Sequence, residues 1–290
     1  MAIRRVANAE LAVDDLEAAV EFHRDVLGMI EKGRSDGKVS FGCGLDDAVD
    51  VVLTSGRGGV TRFALRVDSG EDLDRYAGRL GEAGVSHARS TDETPGVTET
   101  LRFGLPSGHT MELSVVDGPT YVHPSRGTPG RGIRALDFDH ITLQAQDAGT
   151  LMEFLVDVLD FQVSDIFAPA PGIVGAAWLR SGAWHHDISI ISTPEPGKSL
   201  HHYALAVESF DHMKMAADHL VQNGFPIEVP PGRHGVGGNI NMYFWANGNR
   251  YELSGEMPRV EPGEPVTWDS FPAAFSPWGI TPPESFGETS

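Results

Sequence analysis

The sequence has 290 residues, 40% of them hydrophobic and 22% charged, enough for one large domain or two of average size. Its 41 acidic and 22 basic residues give a formal charge of −19, which repels nucleic-acid phosphates and anionic membranes, so neither is expected as a partner. No apolar run reaches the roughly 18 residues that a membrane span needs, the opening MAIRRVANAELAV lacks an apolar export core, and the single Cys43 excludes an internal disulfide. These features lead us to expect a cytoplasmic protein in which Cys43 is a small buried hydrophobe.

Taken in chain order, the elements repeat. Asn8–Gly28, NAELAVDDLEAAVEFHRDVLG, lies without a gap over His140–Asp160, HITLQAQDAGTLMEFLVDVLD, at an offset of 132. FALRV (Phe63–Val67) matches YALAV (Tyr203–Val207), and SGHTMELS (Ser107–Ser114) matches NGNRYELS (Asn247–Ser254), both at an offset of 140. The chain is therefore a duplicated unit of roughly 110–120 residues.

Each unit opens on an alternating strand, which in the second sets Ile141, Leu143 and Ala145 against His140, Thr142 and Gln144. A helix capped by Asp147 follows, with Leu151, Phe154, Leu155 and Val158 on one stripe. Strands are expected around 162–167, 176–179 and 187–192. A second cycle starts at His202, with a helix stripe of Phe210, Met213, Ala217, Leu220 and Val221 and strands near 240–245 and 250–254. The fold class is α+β, with four βαβββ modules paired two by two. The expected units are 1–117, a Gly/Pro/Arg-rich linker over 118–136, 137–258, and an arm over 259–290. The arm carries Trp268, Phe271, Phe275, Trp278 and Phe286, too many aromatics for a disordered tail, and is expected to pack back over a site.

The position before the alternating strand is Asn8, Arg62, His140 and His202 in the four modules, and the last strands offer Glu112 and Glu252 in matching places. Two imidazoles and a carboxylate, His140, His202 and Glu252, can take one face of an octahedral metal and leave three positions open, as in mononuclear non-haem Fe(II) oxygenases. Arg62 argues against a second metal in the first half, because a fixed cation repels it. His202 is preferred over His201 because it precedes YALAV as His140 precedes ITLQA, and a one-residue shift turns a strand side chain to the other face. Accordingly, His202→Ala is expected to abolish metal retention and His201→Ala is not. The same parity prefers His186 over His185.

The stretch GRHGVGGNINMYFWANGNRYELSGE (Gly232–Glu256) resembles the closing motif of type I extradiol ring-cleavage dioxygenases of the vicinal oxygen chelate superfamily. GRHG, the tail beginning VTWD, and Trp178 eight residues before His186 resemble the homoprotocatechuate and catechol 2,3-dioxygenases in particular. The resemblance covers nearly the whole chain and implies two tandem open barrels. It implies Fe(II), with Mn(II) as the alternative, on His140, His202 and Glu252. It assigns acid–base work to His186, substrate-oxygen hydrogen bonds to His234 and Tyr243, and pocket positions to Trp178 and Thr142. A catechol-type substrate and O2 would give a muconic semialdehyde-type product, and a homo-oligomer, dimer or tetramer, is implied.

Two departures stand out. The turn Ala246–Gly248 replaces an Asp-Pro turn, and Val229 stands where homoprotocatechuate enzymes place a carboxylate-binding Arg. The substrate is then a catechol without an acidic side chain, or one held differently. The rival readings are another metalloenzyme of the superfamily (glyoxalase, epimerase or thiol transferase) and a small-molecule-sequestering binding protein. The second generally lacks the ligand trio.

Overall fold

A computed structural model describes residues 2–91, 94–118, 131–194 and 199–290. The first half runs β1 (Ile3–Val13), α1 (Leu16–Glu21) continued by a π turn over Phe22–Val26, β2 (Ile30–Ser35), β3 (Lys38–Gly42) and β4 (Val51–Ser55). It continues with β5 (Val60–Val67), α2 (Gly70–Glu82), β6 (His87–Ser90), β7 (Val97–Gly104) and β8 (Thr110–Val116). The second half repeats the order with β9 (Phe138–Ala145), α3 (Ala148–Leu159), β10 (Gln162–Phe167), β11 (Ala176–Arg180) and β12 (Ile188–Ser192). Then come β13 (Ser199–Val207), α4 (Phe210–Gln222), β14 (Ile227–Arg233), β15 (Ile240–Ala246) and β16 (Asn249–Gly255). The arm holds β17 (Val266–Trp268), α5 (Phe271–Phe275) and a 3-10 turn over Glu284–Gly287. The order βαβββ thus occurs four times, as the repeat predicts. Most of the expected linker, 119–130, lies outside the described residues.

Each module pairs its first strand parallel to its fourth, and the two modules of a half join antiparallel through their first strands, β1 to β5 and β9 to β13. The result is an eight-stranded sheet, β2-β3-β4-β1-β5-β8-β7-β6, and a nine-stranded one, β14-β15-β16-β13-β9-β12-β11-β10-β17. Alternation along the central strands sorts their side chains. Ile141 and Leu143 of β9 are fully buried in the core with Leu151 and Leu155 of α3, leaving His140 and Thr142 to the cavity side.

Local chemistry fixes the elements as expected in most places. Asp147 accepts from the Thr150 N–H at 2.9 Å to cap α3, and Ser209 accepts from that of His212 at 3.2 Å to cap α4. Asn247 (φ 51°) and Gly248 (φ 78°) form the tight turn between β15 and β16. The α4 stripe departs from expectation. Met213, Ala216 and Leu220 are buried, Ala217 is half-buried, and Phe210 and Val221 are exposed, because the helix turns a narrower face to the sheet than its apolar residues span.

One apolar core runs through both halves. Phe22 packs on Phe225, Phe244 and Tyr251, and the Tyr203 hydroxyl donates to the Asp50 carbonyl at 3.0 Å. Cys43 is buried as expected. The arm is ordered on the second sheet: β17 runs parallel to β10, and the Trp268 indole N–H donates to Asp165 at 2.9 Å.

Candidate metal centre and its cavity

Three neighbouring strands, β9, β13 and β16, bring His140, His202 and Glu252 together. Ala204 lies in register with both His140 and Glu252, and its small side chain leaves space between them. His140 Nε2 lies 3.1 Å from Glu252 Oε2 and 3.2 Å from His202 Nε2, and His202 Nε2 lies 3.0 Å from Glu252 Oε2. All three side chains are buried, and the other carboxylate oxygen, Oε1, makes no hydrogen bond. A buried anionic oxygen without a donor is costly, so the site suits a cation. Among the described residues this is the one His/Cys/Asp/Glu group placed to hold a metal, with its ligand atoms within 4.8 Å of one another.

Electrostatics and tautomers agree with that use. Burial opposes charge on His140, but Glu252 and Asp139 outweigh it and push its pKa up to about 9. Burial holds His202 down to about 4 against the pull of Glu252. Burial also opposes the Glu252 charge, yet His140 and His202 keep that carboxyl well below its usual range. His140 Nδ1 faces Asp139 Oδ2 at 2.8 Å and donates to it, so Nε2 is the nitrogen that can turn to a metal once it gives up its own proton. Thr142 Oγ1 lies 2.7 Å from the same His202 Nε2, within hydrogen-bonding distance.

The three groups open onto a cavity of about 300 Å³, the lower end of ligand-sized pockets. The structure brings all the remaining expected site residues to its wall: His186, His234, Tyr243, Trp178 and Thr142. The His186 ring lies 4.3 Å from that of His140, and burial together with its imidazole neighbours holds His186 well below its usual pKa. His185 is turned away toward Asp165, 3.3 Å distant, and is not on the wall. His234 Nδ1 faces the Phe275 carbonyl at 2.8 Å, and a carbonyl only accepts, so Nδ1 carries the hydrogen. Its bare Nε2 then accepts from the Tyr243 hydroxyl at 2.8 Å, leaving the phenol oxygen's lone pairs free.

Other wall residues were not foreseen. Phe167, Ile191 and Val236 join Phe271, Phe275 and Phe286 of the arm in an apolar rim, and among the described residues no lysine or arginine lines the cavity. Ser189 Oγ and Asn239 Oδ1 are buried at the wall without partners. The alternation Ile188-Ser189-Ile190 is a signal that could have marked Ser189, and no sequence signal marks Asn239. His201 is the main difference from expectation. A bulge between Leu200 and His202 breaks the alternation, so His201 reaches the cavity wall beside His202 instead of the opposite face.

The first half carries a different set at matching places. Arg62 bonds both Glu10 (3.1 Å) and Glu112, Arg102 bonds Glu112, and Lys38 bonds Glu10 at 2.8 Å. A web of ion pairs fills the place of the second half's ligands.

Residues 137–253 match the Glyoxalase/Bleomycin resistance protein/Dioxygenase superfamily, and residues 62–115 match the catechol 2,3-dioxygenase-like N-terminal domain. The chain is 28% identical to a metapyrocatechase of Pseudomonas sp. (strain CF600), over 92% of this chain and 91% of that one. It is 26% identical to an iron-dependent extradiol dioxygenase of Rhodococcus jostii (strain RHA1), over 96% and 97%. Among solved structures it superposes on the 2,3-dioxygenase LapB of Pseudomonas sp. KL28 with a TM-score of 0.85 and 28% identity, covering 92% and 98%. On homoprotocatechuate 2,3-dioxygenase of Brevibacterium fuscum it gives a TM-score of 0.86 and 25% identity, covering 99% and 92%. Residues 137–253 thus carry a domain of the glyoxalase, bleomycin-resistance and dioxygenase superfamily, and over nearly its whole length the chain is similar to the extradiol ring-cleaving dioxygenases.

Proposed function

We propose that this chain is an extradiol dioxygenase that opens a catechol-type ring beside its two hydroxyls, inserting both atoms of O2 to give a muconic semialdehyde-type product. The observation that carries the reading is the trio His140, His202 and Glu252 on three adjacent strands, facing a cavity whose wall also holds His186. The trio is the donor set for Fe(II), with Mn(II) as the alternative occupant. Iron bound there supplies a Lewis acid that ionises a catechol hydroxyl and an electron path from the ring to dioxygen.

The chain's own residues do the rest. His186 is neutral at neutral pH, so it can take a catechol proton and later return it where the O–O bond breaks. Tyr243, its hydrogen committed to His234, accepts from a substrate hydroxyl and orients it. Trp178 and the apolar rim exclude water and stack against the ring.

The uncharged rim fits a catechol with a neutral substituent. Val229, fully buried against Tyr243 and Phe275, offers nothing to an acidic side chain. We further propose that 1–117 and 137–258 are the structural and catalytic units, that 259–290 acts as a lid, and that the chain works in the cytoplasm as a homo-oligomer. No helix among the described residues is long and apolar enough to cross a membrane.

The test is anaerobic loading with Fe(II), followed by a panel of catechols with oxygen uptake and the yellow ring-opened product as readouts. Stoichiometric oxygen uptake is expected with neutral catechols. Iron-loaded protein that consumes no oxygen with any catechol would remove the reading in favour of a non-redox enzyme or a binding protein.

A further inference from the structure

His201 is not a ligand, yet it touches one. Its Nδ1 lies 2.6 Å from Nδ1 of His202, and its Nε2 lies 2.8 Å from the main-chain carbonyl of Phe286 in the arm. The carbonyl can only accept, so His201 Nε2 carries a hydrogen. A His202 that offers Nε2 to a metal must carry its own hydrogen on Nδ1, and the facing Nδ1 of His201 must then be bare to receive it. The two bonds demand the same His201 tautomer. They form one line from the arm carbonyl through His201 to the metal-facing nitrogen of His202.

The arm's end is built to hold that carbonyl in place. Arg250, fully buried and paired with Glu228 at 2.7 Å, donates to the carbonyls of Ser285 (2.7 Å), Glu288 (2.9 Å) and His201 (3.2 Å). The Ser290 N–H donates to the Leu200 carbonyl at 2.9 Å, and the Phe286 ring packs edge-on to His201 at 4.7 Å.

We propose that His201 is a positioning residue through which docking of the 284–290 segment sets the tautomer and orientation of His202, so that arm docking and metal retention favour each other. This rests on the metal reading above and adds a role for a residue outside the trio. Outer partners of metal-bound imidazoles change affinity by about 10–100-fold, and a coupling of this kind is reciprocal.

The test uses the full chain. Fe(II) affinity is measured anaerobically by chelator competition, and amide exchange of 284–290 is followed with and without Fe(II). In the parent protein, Fe(II) is expected to slow exchange across 284–290. His201→Phe, which fills the space without bonding, is expected to weaken Fe(II) retention by about tenfold or more and to lose the metal-dependent protection. His201→Asn can still accept from His202 but is too short to reach the Phe286 carbonyl. It should keep most of the affinity and lose the protection, a split that mere loss of packing would not give. Phe286→Ala, which leaves strand β13 untouched, should also weaken retention. Parent-like Fe(II) affinity and protection in His201→Phe would overturn the inference alone. Failure of the parent chain to hold Fe(II) at all would overturn the metal reading and this inference with it.

Discussion

Tyr251 donates its hydroxyl hydrogen to Nε2 of His23, 3.1 Å away in the other half of the chain. His23 can accept it because its Nδ1–H is committed to the Ala19 carbonyl at 2.7 Å. Burial lowers the His23 pKa to about 4, with the carbonyl contact only partly opposing the shift. The folded value lies below the unfolded one, so this contribution is fully present above about pH 6.5 and is lost as pH falls toward about 4. Urea unfolding at stepped pH should show about 3 kcal/mol of lost stability over that window. His23→Gln should flatten the slope, and an unchanged slope would reassign the acid sensitivity to other groups.

Metal affinity should also depend on pH, over a higher range than at a carboxylate-only site. His140, at about 9 without metal, holds a proton that metal must displace, whereas Glu252 is already ionised. Binding therefore releases about one proton at neutral pH, and affinity should rise about tenfold per pH unit up to about pH 9. Calorimetry in buffers of different ionisation enthalpy would measure the proton count. A count of zero would mean that His140 is neutral before metal arrives.

Removing a ligand should cost more than removing any outer partner. Glu252→Ala and His202→Ala are each expected to lower Fe(II) affinity by more than about 100-fold, beyond the range of outer partners. Metal added to the parent protein should raise its melting temperature in proportion to the logarithm of metal concentration, and this shift should vanish in both variants.

The cavity residues should separate binding from chemistry. His186→Ala should keep its iron and lose about 10²–10⁴-fold in kcat, the usual worth of a general acid–base. Tyr243→Phe removes the hydroxyl that bridges His234 and substrate, and should lose roughly tenfold in kcat with its iron intact. Iron loss in either variant would place that side chain in the metal's own support instead.

Gly235 is a sensitive contact beneath the arm. A Cβ there would come within 2.0 Å of the Ala273 carbonyl, and the Gly235 N–H itself donates to the Ala274 carbonyl at 3.0 Å. Gly235→Ala should push α5 off the cavity rim, raise the KM for apolar catechols and speed proteolysis in the arm. A parent-like KM would show that the rim contributes little to substrate binding.

Much of this was legible in the residues because duplication supplied a frame. The overlay of Asn8–Gly28 on His140–Asp160 placed His140, and the YALAV strand placed His202. The strands observed at Gln162–Phe167 and Ile188–Ser192 follow from apolar patterning between turn residues. What escaped was whatever depends on the third dimension. Period 2 put His201 on the wrong face because the bulge in β13 resets alternation locally, and nothing in SLHHYALAV announces a bulge. The aromatic arm read as ordered, but its use of main-chain carbonyls at Phe275 and Phe286 is invisible to side-chain chemistry.

The ion-pair web of the first half has a consequence for how the duplicated fold fails. Both halves converge polar groups at the same point of their sheets. In one, the positive charge is a guanidinium tethered to the backbone at Arg62. In the other, on the metal reading, it is a guest that a chelator can carry off. Chelation should loosen the C-terminal twin while its sibling stays shut, so the molecule should come apart from one end when starved of its ion.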